Sequence, residues 1–379
     1  MVTMIRNAIY VNMIMSRLRK YHYSIAFIIG ISMMMIACND RTVKKVVQMG
    51  PIRESEDFDS LIDSIRLVLL SSDQEAMLGS EVEIKIFNDC YYLADYRNKK
   101  ILRFDSRGNY LNSIGNVGRA INEYYTIQSF QVIRDSVVVF SYPQKLLVYD
   151  SQGLYLKSQT EKLFGEQSYL IGNTIYTYYG YKRNRPYRLA KITNGNVEKK
   201  FLPTSKYVMT MSRTEPVFTP HEKGCFVLDS YSPIVYNLVD DGLEEYVSFD
   251  FGKYRISDDF YEYEDPVKGA ESLLSSEFAY IHRFFENQLQ KIVVVVIQSE
   301  DKVQYVYGIT GKEDCSWQWF QSPFAEDLKM VDDKCLYYVL DYYKLKEFSS
   351  AMRNKIMNKE IMDITAQDSN YVIAKVYLH

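Results

Sequence analysis

The feature that most constrains this chain is a repeat of about 45 residues. Residues 100–111 read KILRFDSRGNYL and residues 145–156 read KLLVYDSQGLYL, with Lys, Leu, Asp, Ser, Gly, Tyr and Leu identical in register. Each copy is an apolar strand, a turn and a second strand. Asp105 and Asp150 are placed to bond the turn backbone, and Gly108 and Gly153 to take positive φ. Weaker copies follow as YRLAKITNGNVEKKF, IVYNLVDDGLEEYVSF and VQYVYGITGKEDCSWQWF, extending the turn glycines to positions 195, 242 and 311, the last after an insertion. Another strand pair precedes each turn, as in EVEIKIFND followed by CYYLADY. Four short antiparallel strands per repeat are the unit of a β-propeller, whose blades bury their faces only against one another.

Five repeats do not exhaust the chain. LKMVDD, CLYYVLDYY and the terminal NYVIAKVYLH supply three strands of a sixth blade, and SIRLVLL at 64–70 supplies the missing outer one. That arrangement joins the two ends of the chain and removes an open edge. The 34 tyrosines and 19 phenylalanines fit pleated, half-buried strands. Two segments break the pattern. Residues 257–289 contain a stretch compatible with a helix, and residues 344–360 carry Leu345, Phe348, Met352 and Met357 at near-helical spacing, read as one amphipathic helix. The predicted fold is all-β: a six-bladed β-propeller of four-stranded antiparallel blades with two short helical insertions, over residues 63–379.

Ahead of it, Arg6, Arg17, Arg19 and Lys20 precede an uncharged run from Ser24 to Ala37, and Cys38 follows. A basic region, an apolar region and a small residue before a cleavage point make a secretory signal, residues 1–37, with Met1, Met13 and Met15 as alternative starts. A membrane-spanning helix needs roughly 20 apolar residues, more than this run has. Met35-Ile36-Ala37-Cys38 resembles a bacterial lipobox, which implies acylation of Cys38 and stable anchoring by several acyl chains. Residues 38–62 are polar and charged and read as a lipidated tether. Cys90, Cys225, Cys315 and Cys335 then lie in an exported compartment, with no CxxC pair to suggest zinc. Cys90 and Cys335 open apolar runs and read as buried free thiols.

YYLADYRNKKILRFDSRGNYLNSIGNVGRAINEY at 91–124 resembles the six-bladed, NHL-like β-propeller lipoproteins of Gram-negative gut anaerobes. The shared marks are a strand ending in Asp95, the apolar-Asp-x-x-Gly turn, Ile114-Gly115 and a link ending in Glu123-Tyr124; the link reads Arg-Ala-Ile-Asn where the family has Gly-Pro-Gly. The resemblance implies fold and anchoring at the cell envelope, at the outer membrane facing periplasm or exterior. It implies little about function, because propellers host both binding and catalysis.

A formal net charge of −3 gives no basic field, so nucleic acid is excluded as principal partner. His221, His282 and His379 are far apart, and no HExxH, GxSxG, P-loop or Rossmann pattern is present, so no catalytic, metal or cofactor residue is assigned. Asp95, Asp229 and Asp341 end comparable strands and read as turn-forming carboxylates. Two features suit binding. Tyr178, Tyr179, Tyr181, Arg183 and Arg185 form an aromatic and basic loop whose rings suit sugars or peptide side chains and whose guanidiniums suit anions. Trp317 and Trp319 put two indoles on one face of a strand, either as binding surface or as core between blades. The leading expectation is a non-enzymatic binding or scaffold module for a glycan, a peptide or an envelope protein. The alternative is a hydrolase or lyase with a metal in its channel, as in lactonase-like propellers, and a third class is a purely structural envelope component.

Overall fold

Six antiparallel sheets follow one another along the chain, each starting at the axis and stepping outward. Blade one consists of Val82–Phe87, Cys90–Asp95, Lys100–Phe104 and Tyr110–Ser113. Blade two begins at Ser129–Ile133, blade three at Gln167–Ile171, blade four at Phe218–His221 and blade five at Phe278–Glu286. Blade six takes Leu328–Val331, Leu336–Leu340 and Val372–Leu378 from the C-terminal end of the chain and Ile62–Leu69 from near its start. This computed structural model describes residues 45–160, 165–181, 185–204, 215–222, 224–239, 242–257, 260, 265–314, 316–322, 324–363 and 370–379. The signal segment and Cys38 lie outside the described residues, as do Arg183 and Cys315.

The repeated turn explains its own sequence. Asp105 Oδ1 accepts from the backbone N–H of Arg107 and Asn109, and Asp150 Oδ1 does the same for Gln152 and Leu154. Gly108 and Gly153 sit at φ +90° and +82°, where a side chain is strained. Space forbids one as well. A Cβ on Gly108 would lie 2.0 Å from the Leu69 carbonyl oxygen of blade six, and one on Gly153 would lie 2.2 Å from that of Ser113 in blade one. The turn therefore docks its backbone on the outer strand of the preceding blade, and the Gly108 carbonyl accepts from the Ser71 N–H at 2.8 Å. Between blades, apolar faces interdigitate. Phe58, Tyr307, Phe320, Tyr338 and Leu340 belong to the cluster between blades five and six. Ile292 to Ile297 form the buried second strand of blade five, and Cys90, Cys225 and Cys335 are buried free thiols.

Residues 46–62, read from the sequence as tether, are instead part of the folded body. Val46–Gln48 adds a parallel strand to the outer edge of blade four, pairing with Ser248–Asp250, and Ile52–Arg53 does the same for Trp319 and Phe320 in blade five. Helix Ser55–Leu61 then buries Phe58, whose ring stacks on Tyr307 at 4.8 Å. Arg53, Glu54, Glu56 and Asp57 face solvent while Val47 and Phe58 enter the core, and the buried Asp59 carboxylate accepts from Ser349 Oγ. Unpaired N–H and C=O groups at two blade edges gain partners. The helical insertions are Pro266–Leu274, between blades four and five, and a pair in blade six. There the single helix read from spacing is two, Tyr342–Leu345 and Ser350–Asn354, because Ser349 caps the second by accepting from the Met352 N–H. Leu345, Phe348 and Met352 are buried, whereas Met357 is exposed.

Gly153→Ala should destabilise the protein by at least about 1–3 kcal/mol through positive φ alone, with the collision at Ser113 adding to it. Urea unfolding measures this, and an unchanged midpoint would contradict the docked turn.

Candidate functional site

Inner strands of a propeller surround its axis, so their polar residues meet regardless of sequence separation. At the end of the ring where these strands begin, a cavity of about 730 Å3 is lined by residues of all six blades. Glu83 and Lys85 reach it from VEIKIF, where they alternate with buried aliphatics. His282 and Arg283 reach it from FAYIHRFFE although they are adjacent, which regular alternation forbids. A register shift between Ile281 and Arg283 makes His282 an extra residue in its strand, and the bulge turns both side chains to the cavity.

The charges are organised in pairs. The Arg283 guanidinium donates to both Glu83 oxygens at 3.3 and 3.1 Å, joining blade five to blade one across the channel. Both residues are buried. Burial alone would raise the Glu83 carboxyl, but the Arg283 and Lys85 charges hold it below the usual carboxylate range. Lys329, from the inner strand of intervening blade six, loses basicity first through burial and then through Arg283. Lys344 Nζ donates to both Asp327 oxygens at 2.8 and 2.7 Å. His282 Nδ1 lies 3.1 Å from Glu215 Oε1, and its ring meets the edge of Tyr305. Carboxylates are in excess among the described lining residues: Glu81, Glu83, Glu166, Glu215, Glu326, Asp327 and Asp341 line the cavity with Lys85, Arg283, Lys329 and Lys344. Among the described residues no three His, Cys, Asp or Glu side chains are grouped to hold a metal.

Of the residues singled out from the sequence, those that the structure describes lie elsewhere. Tyr178 is 0% exposed and donates to Asp229 Oδ1 at 2.8 Å, with Ser230 completing the network. The Tyr179 ring is 1% exposed, held edge-on by Tyr187 and covered by the Arg185 guanidinium at 4.0 Å. Tyr181 donates to the Ser230 carbonyl at 3.3 Å and carries Arg188 over its ring. Tyr178, Tyr179 and Tyr181 are thus engaged by neighbouring protein groups. Trp319 is buried against Phe249 between blades four and five, with Trp317 stacked beside it at 6.1 Å. Of the strand-ending aspartates, Asp95 accepts from the Gly79 and Asn98 N–H groups, Asp229 binds Arg188, and Asp341 caps a helix. The cavity residues have one sequence signal, namely charge inside an otherwise apolar inner strand.

Replacing Arg283 by Met leaves Glu83 buried without its partner and should cost about 3–5 kcal/mol, whereas replacing both by Met should cost less than either single change. The folded Glu83 pKa lies below its ordinary 4.5, so its stabilisation is complete above that pH and is lost as pH falls through the folded value. Urea unfolding across acid pH checks both: the double variant should lose stability less steeply, and equal slopes would contradict the pairing.

The fold has solved relatives. A Bacteroides fragilis protein named as a candidate exported protein superposes with a TM-score of 0.71, covering 88% of this chain and 100% of its own at 15% identity. A member of the DUF4221 family from Bacteroides vulgatus superposes at 0.51, covering 84% and 98% at 11% identity. At these identities the likeness is one of fold. No curated protein matches the sequence. A family model described as a domain of unknown function matches residues 46–377, nearly the whole of the described body, and the chain accordingly belongs to that family, DUF4934.

Proposed function

We propose that this protein is an envelope-anchored, non-enzymatic binding propeller whose central cavity takes a polar ligand rich in hydroxyl or amino groups, such as an oligosaccharide or a basic peptide. The observation that carries the reading is the cavity itself: it is open, falls within the usual size range of ligand sites, and is lined by side chains of both charges with carboxylates in excess. Carboxylates accept hydrogen bonds from sugar hydroxyls and ammonium groups, and an acidic wall disfavours anions. Pairing of Glu83 with Arg283 and of Asp327 with Lys344 holds the walls in place before a ligand arrives, which reduces the ordering cost of binding. The lipobox-like Met35-Ile36-Ala37-Cys38 supports lipid anchoring in the envelope, and the export attributed to the Bacteroides fragilis relative supports the compartment.

Thermal unfolding of the purified protein against oligosaccharides and basic peptides tests this, since a ligand of the folded state alone adds about 2.7 kcal/mol at a hundred times its Kd. A member of these classes should raise the midpoint, and Glu81→Gln with Glu326→Gln, two exposed rim carboxylates, should diminish the rise. No shift by any member, or a shift indifferent to the two changes, would contradict the cavity as the site.

A further inference from the structure

At the opposite end of the ring, where the inner strands finish, blades two and three part to leave a cleft of about 1180 Å3. Near the axis the two blades are stitched together. Gln131 Oε1 accepts from the Leu170 N–H at 2.6 Å, its Nε2 donates to the Leu170 carbonyl at 3.2 Å, and Ser129 Oγ donates to the Ser168 carbonyl at 2.8 Å. Beyond Gln131 the stitching stops, and Ile133 and Ile171 are left more than a third exposed. The cleft runs from Lys85, which also lines the cavity, out to Lys157 and Gln159 on the outer strand of blade two. Its depth is aliphatic, with Val138 and Val148 facing Ile175 and Ile192.

Every charged side chain among the described lining residues is cationic: Lys85, Arg134 and Lys157. Arg134 and Lys157 make no ion pair with a described residue, while Lys85 lies 3.4 Å from Glu83. The field of this cleft is therefore opposite in sign to that of the carboxylate-rich cavity. We propose that the cleft binds an extended acidic peptide segment, its aliphatic side chains against the valine and isoleucine walls and its carboxylates on Arg134 and Lys157. Cations spread along the cleft suit a chain bearing several carboxylates better than one terminal acid. The amides of Gln159, Asn173 and Asn194 line the same space and suit peptide N–H and C=O groups, whereas Tyr169 is the one aromatic ring among the described lining residues, too few for stacking nucleobases. This site lies at the other end of the axis from the proposed ligand cavity, shares Lys85 and Tyr169 with it, and is opposite to it in charge.

Fluorescence anisotropy of a labelled octapeptide alternating Leu and Glu, mixed with the purified protein, tests the assignment against the same peptide with Lys for Glu. The acidic peptide should bind at least about tenfold more tightly, a difference of about 1.4 kcal/mol, and should weaken as salt rises. Arg134→Glu with Lys157→Glu, both exposed positions, should reduce its affinity about tenfold at an unchanged unfolding midpoint. The cavity variant carrying Glu81→Gln and Glu326→Gln should bind it as the parent does, so failure here is distinct from failure of the cavity reading. Equal binding of the two peptides, indifference to the charge reversals, or no binding of either would overturn the proposal.

Discussion

The structure depends on one pairing between distant parts of the chain. Val372–Leu378, near the C-terminus, bonds along its length to Ile62–Leu69, with Val372 opposite Leu69 and Leu378 opposite Ile62. Without that outer strand, blade six would present an unpaired third strand, and the first blade would lose the surface on which its Gly108 turn rests. A propeller blade has no stable face of its own, so loss at one joint is felt at both neighbours. The N-terminal segment strengthens the joint by running on: from blade four to blade five to the helix carrying Phe58, it spans two blades before entering the sixth. Hydrogen bonding and aromatic packing are thereby concentrated where the ring would otherwise open.

Closure also creates the site. Glu83 and Arg283 are separated by 200 residues in sequence and by blade six in the ring, yet the fold brings them within hydrogen-bonding distance, and only a bulge allows His282 to join Arg283 on the same wall. Buried ion pairs of this kind add little stability compared with apolar replacements, so their value lies in fixing the orientation of polar groups around the cavity. The two ends of the axis differ in character. Among the described residues, carboxylates outnumber cations at one end, and Lys85, Arg134 and Lys157 over aliphatic walls line the other.

How much of this was legible in the sequence follows from what each residue has to do locally. Asp105, Gly108, Asp150 and Gly153 serve turn geometry within a few residues, so their spacing exposed the blade period, and with it the sixth blade and its borrowed strand. Val47 and Phe58 were hidden among charged neighbours, because the edges they cover are formed some two hundred residues later. Cavity residues come from all six blades, with no shared motif. Tyr178, Tyr179 and Arg185 read as a cluster of aromatic and basic residues suited to binding, but Tyr178 is tied to Asp229 and Ser230 in the next blade, and Tyr179 lies between Tyr187 and Arg185 within its own.

Hydrogen exchange of individual backbone amides tests the closed ring most directly, because it reports whether a strand opens alone or only with the whole fold. The account predicts that amides of Ile62–Leu69 bonded to Val372–Leu378 exchange only through global unfolding, as slowly as those of Val293–Val296 in the centre of blade five. Exchange of Ile62–Leu69 at rates typical of a frayed terminus, with blade five still protected, would contradict it.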